Sequence, residues 1–338
     1  MRTIWLIIVS LLLLSCTASN PSVPAVQANK ITVIYDAFGK PSAMQKDWGF
    51  AALIEYNGKR ILFDTGNNAE IFAQNVKAKG VDLTKLDFVV MSHRHGDHIG
   101  GLNYLLSVNP KVKIYTPKEG FGVFGGALPG TFYRRDESLP PEMRYYNGAP
   151  PETMRFGTPW PQGNFTWVDK TTEVAPGIHL IYLTGNWGTL ELSELSLAID
   201  TPEGVIVVHG CGHTKIEKIV EAATAINKRI HLLVGGHHLL LAPDPEIQRI
   251  VTSLHDTWKV EWIAPGHCTG EPMFAALKRA FGDRYLYAGL GTVLNLGDNP
   301  RASSDQAGAY AFDADDMKTY RELAQREQEH ELKLAAFY

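Results

Sequence analysis

The chain has 338 residues, 45% of them hydrophobic and 20% charged, with a formal net charge of −4. This composition excludes a disordered or fibrous protein and supplies enough apolar side chain for a sizeable core, as one large domain or two closely packed halves. A mildly acidic balance also argues against a nucleic-acid partner.

The N-terminus carries a single charge, Arg2, before two apolar runs, 6–9 and 11–14, and then Ser15-Cys16. A membrane span takes about 20 apolar residues, so residues 1–15 are too short to cross a bilayer and have the layout of a secretory signal. Leu13-Leu14-Ser15-Cys16 is similar to the lipobox of bacterial lipoproteins, which implies that Cys16 is acylated and becomes the mature N-terminus. Several acyl chains on one residue meet the need of a stable anchor for more than one lipid. A plain signal peptide cut elsewhere is the alternative. Residues 16–29, rich in Ser, Pro, Ala and Asn, read as a flexible tether. The expected location is the periplasm or cell envelope, with the lipid as the sole membrane contact.

Strand-like stretches cover 31–35 and 50–56, and the second passes through Asn57-Gly58, a strong hairpin turn, into 60–64. Residues 68–79 show helical apolar spacing at Ile71, Phe72 and Val76, with Gly80 placed as a stop. A buried-type strand over 87–91 leads directly into a histidine cluster. Gly100-Gly101 opens another helix-like stretch, and a strand follows over 111–115. Residues 119–177, dense in glycine, proline and aromatics, read as a long irregular insertion that caps the substrate. Strands resume at 178–183 and 195–199, and the turn Thr201-Pro202-Glu203-Gly204 leads to another at 205–208. Two helix-strand units follow, 215–227 into 231–234 and 244–255 into 260–264. This order suits a domain over 30–300 built as two sheets with helices outside, followed by a charged helical tail over 301–338.

The segment Met91-Ser92-His93-Arg94-His95-Gly96-Asp97-His98 sets four potential metal ligands within six positions, directly after a buried strand. Alternate residues of an extended backbone point the same way, so His93 and His95 can grip one ion. Gly96 is expected to let the chain turn, so that Asp97 and His98 face the same cavity from the other side. Without a metal, three histidines and an aspartate would crowd one tight turn with no purpose. Imidazoles with one carboxylate suit Zn²⁺, as one or two ions, and are compatible with Fe or Mn.

This motif resembles the His-x-His-x-Asp-His hallmark of the metallo-β-lactamase superfamily, and Phe63-Asp64-Thr65-Gly66 matches its usual companion. The resemblance implies an αββα sandwich of two mixed β-sheets with helices on the outer faces. A closer likeness is to the branch of dihydropterin-linked ribofuranosylaminobenzene 5'-phosphate synthases, carried by Gly210-Cys211-Gly212-His213, Gly235-Gly236-His237-His238 and Pro265-Gly266-His267-Cys268-Thr269-Gly270. By that resemblance His93, His95 and His213 form one half-site and Asp97, His98 and His267 the other, while His238 contacts substrate or donates a proton. His237 reads as a candidate metal or pocket residue, or as a structural support.

Many superfamily members carry a bridging aspartate after the glycine at Gly210, whereas this chain has Cys211. That thiol can ligate, line the pocket or act in redox chemistry, and Cys268 shares those options. The two would be free thiols near the metal, because each lies one or two residues from a histidine that faces it; a structural disulfide is the alternative. The chemistry implied is hydrolysis of a small ester, amide, lactone or phosphodiester by metal-activated hydroxide, a bound ion lowering the pKa of water from about 15.7 towards 7. Asp97 would orient that hydroxide or take its proton. Rival readings are a synthase of the named branch, a β-lactamase, and a non-catalytic metal-binding lipoprotein.

Overall fold

The structure, a computed structural model, describes residues 29–304 apart from 120–122, 125–126, 132, 156–159 and 188–189. The expected signal, the tether up to residue 28 and the tail from residue 305 lie outside the described residues.

Three antiparallel strands begin the fold: β1 (Lys30–Tyr35), β2 (Ala51–Tyr56) and β3 (Lys59–Phe63). Asn57 and Gly58, with φ of 48° and 76°, turn β2 into β3, the pair of left-handed residues that a two-residue hairpin of right-twisted strands requires. Helix α1 (Ala69–Ala78) starts where the Asn68 side chain accepts the backbone N–H groups of Glu70 and Ile71, and Gly80 leaves it at φ 67°. Strand β4 (Phe88–Val90), the single-turn helix α2 (Gly96–Ile99), α3 (Leu102–Val108) and β5 (Lys113–Pro117) follow, with β3, β4 and β5 parallel.

The stretch 119–177 is less irregular than its composition predicts. It holds the hairpin β6 (Ala127–Pro129) and β7 (Thr153–Arg155), then β8 (Asn164–Val168), which pairs in parallel with β5, and β9 (Thr172–Ala175). Several of its aromatics are core, not cap. Phe124 and Trp160 are buried with α1 and α3, and the Trp160 indole N–H donates to Asn103 Oδ1 at 2.6 Å. Density of aromatic residues marks burial as readily as a binding face.

The second sheet is built from β9, β10 (Ile178–Trp187), β11 (Leu190–Thr201), β12 (Gly204–His209), β13 (Ile230–Gly235) and β14 (Trp262–Pro265). Its last three strands are parallel, joined by α4 (Ile216–Ala223) and α5 (Asp244–Thr252). Helix α6 (Glu271–Phe281) follows β14, and β15 (Thr292–Asn295) and β16 (Arg301–Ser304) return to pair beside β1, carrying the fold slightly past residue 300. The first sheet thus runs β16-β15-β1-β2-β3-β4-β5-β8 and the second β14-β13-β12-β11-β10-β9.

Alternation along the strands explains the layering. One face of each sheet meets the other through residues such as Val33, Ile54, Ile61, Leu197, Val208 and Val234. The opposite face of the first sheet packs on α1 and α3 through Leu53, Leu62, Phe72 and Leu105. That of the second packs on α4, α5 and α6 through Val207, Leu233, Ile219, Ile250 and Leu277. Four layers result, helices on both outer faces, which is the αββα sandwich expected from the sequence.

Candidate metal centre

The site is built where the exit of β4 meets the exits of β12, β13 and β14. After β4, the Met91 N–H donates to Tyr115 O at 2.8 Å, and the chain then leaves the sheet through Ser92 and His93. Asp64, the residue after β3, directs that exit. Held at φ 57°, its buried carboxylate accepts the Ser92 N–H and Oγ–H, both at 2.7 Å, and lies 2.7 Å from His98 Nδ1. A carboxylate on one ring nitrogen fixes the imidazole and leaves Nε2 for the cavity. Burial opposes charge on His98, yet Asp64 outweighs it and raises the ring to about 9.

Gly96 does not act as the sequence suggested. It opens the short helix α2 at negative φ, and a Cβ there would meet nothing within 4 Å. The glycine this turn requires is Gly100, whose Cβ would lie 2.0 Å from Asn67 O.

On the other sheet the strands end in register, His209 beside Gly235 and Gly235 beside Pro265. The loops 210–213, 236–238 and 266–268 therefore leave the sheet side by side. Gly210 faces the first half of the molecule, where a Cβ would come within 2.4 Å of Ser92 Oγ. Buried acids brace two of these loops. Asp36 accepts the His267 N–H at 2.9 Å and Glu194 the Thr214 N–H at 2.7 Å, and burial raises both carboxyls, Asp36 to about 7. His238 and His267 sit at φ 52° and 46°, backbone strain of about 1–3 kcal/mol each that a surrounding structure must hold in place.

Around the cavity, His93 Nε2 lies 3.1 Å from His95 Nδ1, and the His213 ring is 4.9 Å and 4.7 Å from those two rings. Asp97 Oδ2 lies 3.3 Å from His267 Nε2 and 3.7 Å from His98 Nε2. The two half-sites expected from the sequence are thus brought together as two adjoining groups. Cys211 Sγ stands between them, 3.1 Å from His98 Nε2 and within 4.8 Å of donor atoms of His93, His213, His98 and His267. Both Cys211 and Cys268 are buried free thiols.

Electrostatics suit a cation. Burial, reinforced by neighbouring histidines, keeps His93 neutral and lowers His95 to about 4 and His213 to about 2, so their lone pairs are available at neutral pH. Burial pushes the Asp97 carboxyl up, but a hydrogen bond from His267 and the adjacent imidazoles overcome this and hold it below the usual carboxylate range. Nitrogen facing nitrogen and nitrogen facing sulfur, at contact distance, is a donor set that fits Zn²⁺ between its members.

His238 joins this cluster, its ring 4.1 Å from that of His213. His237 does not join the ligand groups; it is buried and stacks on His209 at 5.4 Å. Sequence reasoning missed Asp36, Glu194, the Arg94–Glu119 pair and Trp48. Arg94, between two histidines of the turn, donates to Glu119 Oε1 at 2.6 Å and to Glu191 O at 2.8 Å. The Trp48 ring lies 5.1 Å from that of His267. An acid inside an apolar strand, as in Leu192-Ser193-Glu194-Leu195, was the available signal for a buried support.

The centre can be set beside known proteins. The family model described as the metallo-beta-lactamase superfamily matches residues 49–217. The chain is 30% identical, over 70% of its length and 85% of the relative's, to 7,8-dihydropterin-6-methyl-4-(beta-D-ribofuranosyl)-aminobenzene-5'-phosphate synthase of Methanocaldococcus jannaschii. It is 27% identical to an uncharacterized protein of the same organism, over 73% of this chain and 93% of that one. Among solved structures, Tm1679, a metal-dependent hydrolase of the beta-lactamase superfamily, superposes with a TM-score of 0.59 at 27% identity, covering 80% of this chain and all (100%) of the other. The matched segment contains both the β4 turn with its Asp64 support and the Cys211–His213 loop, and on that shared framework the chain belongs to the metallo-beta-lactamase superfamily.

Proposed function

We propose that the protein is a metal-dependent hydrolase of a small ester, amide, lactone or phosphodiester. The observation that carries this reading is the convergence of His93, His95 and His213 beside Asp97, His98 and His267, with Cys211 between the two groups. These residues would hold one or two ions, Zn²⁺ best matching the donors, with Fe or Mn as alternatives. A metal bound there supplies Lewis acidity and water acidic enough to react near neutral pH.

The chain's own groups divide the remaining work. Asp97 retains 20% of its side-chain exposure while His98 and His267 beside it have none, so it is the carboxylate that incoming water can reach. It orients the attacking water and takes its proton, as a general base must from hydrogen-bond distance. His238, next to His213, is assigned to contact the substrate or to return a proton to the leaving group. Trp48, exposed and with its ring 5.1 Å from that of His267, offers an apolar surface beside the site that favours a substrate with a hydrophobic portion.

The test is metal analysis of the purified protein together with a panel of chromogenic esters, lactones and phosphodiesters, plus a β-lactam. Turnover that follows metal content supports the reading. A metal-loaded protein inert to the whole panel favours a metal-binding role without catalysis. A second reading, synthase chemistry on a pterin- or phosphate-bearing substrate, rests on the 30% identity to the archaeal synthase; condensation of such substrates without hydrolysis would select it.

The lipoprotein reading of residues 1–29 is part of the same proposal. Cys16→Ala is expected to abolish membrane association. A wild-type protein that fractionates as soluble, with no lipid mass at its N-terminus, contradicts it.

A further inference from the structure

Cys268 belongs to neither half-site, yet its sulfur, that of Cys211 and a ring nitrogen of His238 all lie within 4.8 Å of one another. The three residues come from three different loops, those leaving β14, β12 and β13. Adjacent parallel strands bring such loops side by side, but only the side chains chosen at each exit make two thiols and an imidazole meet.

We infer that Cys211, His238 and Cys268 form a third, sulfur-rich cation site in the wall of the metal centre, selective for a thiophilic ion such as Zn²⁺ or Cd²⁺ over Mn²⁺. A buried cysteine is ordinarily a small hydrophobe packed among apolar neighbours. These two have polar surroundings instead: Cys211 Sγ faces His98 Nε2 at 3.1 Å, and Cys268 Sγ lies 3.6 Å from Cys211 O. Space is also kept for the sulfur, because a Cβ on Gly236 would sit 2.7 Å from Cys268 Sγ. His238 is held in the left-handed region at φ 52°, an uncommon conformation for a residue other than glycine, and its ring lies 4.1 Å from that of His213.

The chemistry of the set decides the ion. Two thiolates and one imidazole are the ligands of a tetrahedral zinc site with one position left open, whereas Mn²⁺ prefers carboxylate and water. Bonds of about 2.0–2.3 Å at tetrahedral angles put two donors of one zinc about 3.3–3.8 Å apart, so closing a triad whose donors lie within 4.8 Å of one another takes side-chain adjustments on the order of 1 Å. Cys211 appears in all three donor groups, with His93 and His213, with His98 and His267, and with His238 and Cys268. Its thiolate can therefore bridge the sulfur-rich corner to the histidine half-sites. None of this depends on the protein being a hydrolase.

Cys268 is diagnostic, since the half-sites alone use one sulfur and this site uses two. Reduced, metal-stripped full-length protein carrying Cys16→Ala, which leaves Cys211 and Cys268 as its two thiols, is titrated with Cd²⁺ while the ultraviolet sulfur-to-cadmium charge-transfer band is recorded. The band should fall to about half in Cys268→Ser, which removes one of two thiolate ligands, and should vanish when Cys211→Ser is added. Cadmium NMR on the unmutated protein counts sulfur ligands directly and does not depend on a variant folding; an ion with two sulfur ligands is expected. A band unchanged by Cys268→Ser, or a resonance reporting at most one sulfur, overturns the site. Neither readout involves turnover, so its failure leaves the hydrolase reading to be judged separately.

Discussion

The two halves of the molecule supply the proposed metal ligands by opposite means. The first half spends one short turn on it: His93, His95, Asp97 and His98 come from a single exit of β4, pinned by one buried carboxylate, Asp64. The second half distributes His213, His238 and His267 over three loops, each aligned by strand register and two of them braced by separate acids, Asp36 and Glu194. A single turn is a cooperative unit in which one support fixes several ligands. Separate loops are independent units, and damage to one need not spread. The contrast predicts graded effects.

The largest belongs to the turn. His98→Ala removes a donor and leaves Asp64 a buried carboxylate with only Ser92 beside it, and breaking one side of a buried charged pair typically costs about 3–5 kcal/mol. Both folding stability and metal content should collapse together. His213→Ala, by contrast, is expected to reduce metal content while the denaturant midpoint stays close to wild type. Equal destabilisation by the two variants would break the distinction between turn and loops.

Asp97→Asn comes next, because it separates binding from chemistry. Losing general-base assistance typically costs about 10²–10⁴-fold in rate, so turnover should fall by that much at matched metal occupancy. Near-normal turnover would remove Asp97 from the mechanism.

Gly210→Ala probes the seam where the halves touch. Its Cβ would press on Ser92 Oγ and, at 3.0 Å, on Asp64 Oδ2. Overpacking of this kind costs about 1–3 kcal/mol, and the unfolding midpoint should drop accordingly; an unchanged midpoint would mean the seam yields easily.

The smallest effect is a pH dependence at the tie between the turn and the segment after β5. Burial raises the Glu119 carboxyl, with Arg94 partly offsetting it. A raised folded-state pKa means that the native state holds this proton more tightly than the unfolded chain does. The resulting stability is complete below the ordinary value of 4.5 and is lost as pH rises through the folded-state value. Gln cannot titrate, so the unfolding free energy of wild type minus that of Glu119→Gln should fall as pH increases from 4.5. A difference that rises with pH would contradict the assignment.

The same contrast explains what the sequence reveals. The turn is legible because its ligands are contiguous and their spacing has a geometric meaning in an extended chain. The three loops are legible only through resemblance, since nothing local says that residues 213, 238 and 267 meet; strand register does that. Two-sheet layering follows from strand alternation and the helix-strand units, and the structure bears it out. What stays hidden are groups whose role is set by burial alone. Asp36 and Glu194 look like ordinary polar residues until their carboxylates are found beneath the ligand loops, and Phe124 and Trp160 look like a cap until they are found in the core. Gly96 misleads for the opposite reason, a glycine at a turn that a helical conformation opens without it.

If both halves close on a functional metal, activity must follow that metal: it is removed with a chelator, turnover of a substrate found in the panel is followed, and Zn²⁺ is added back in counted equivalents. Turnover should disappear with the metal and return in proportion to the zinc bound. Full turnover by protein shown to be metal-free would contradict it.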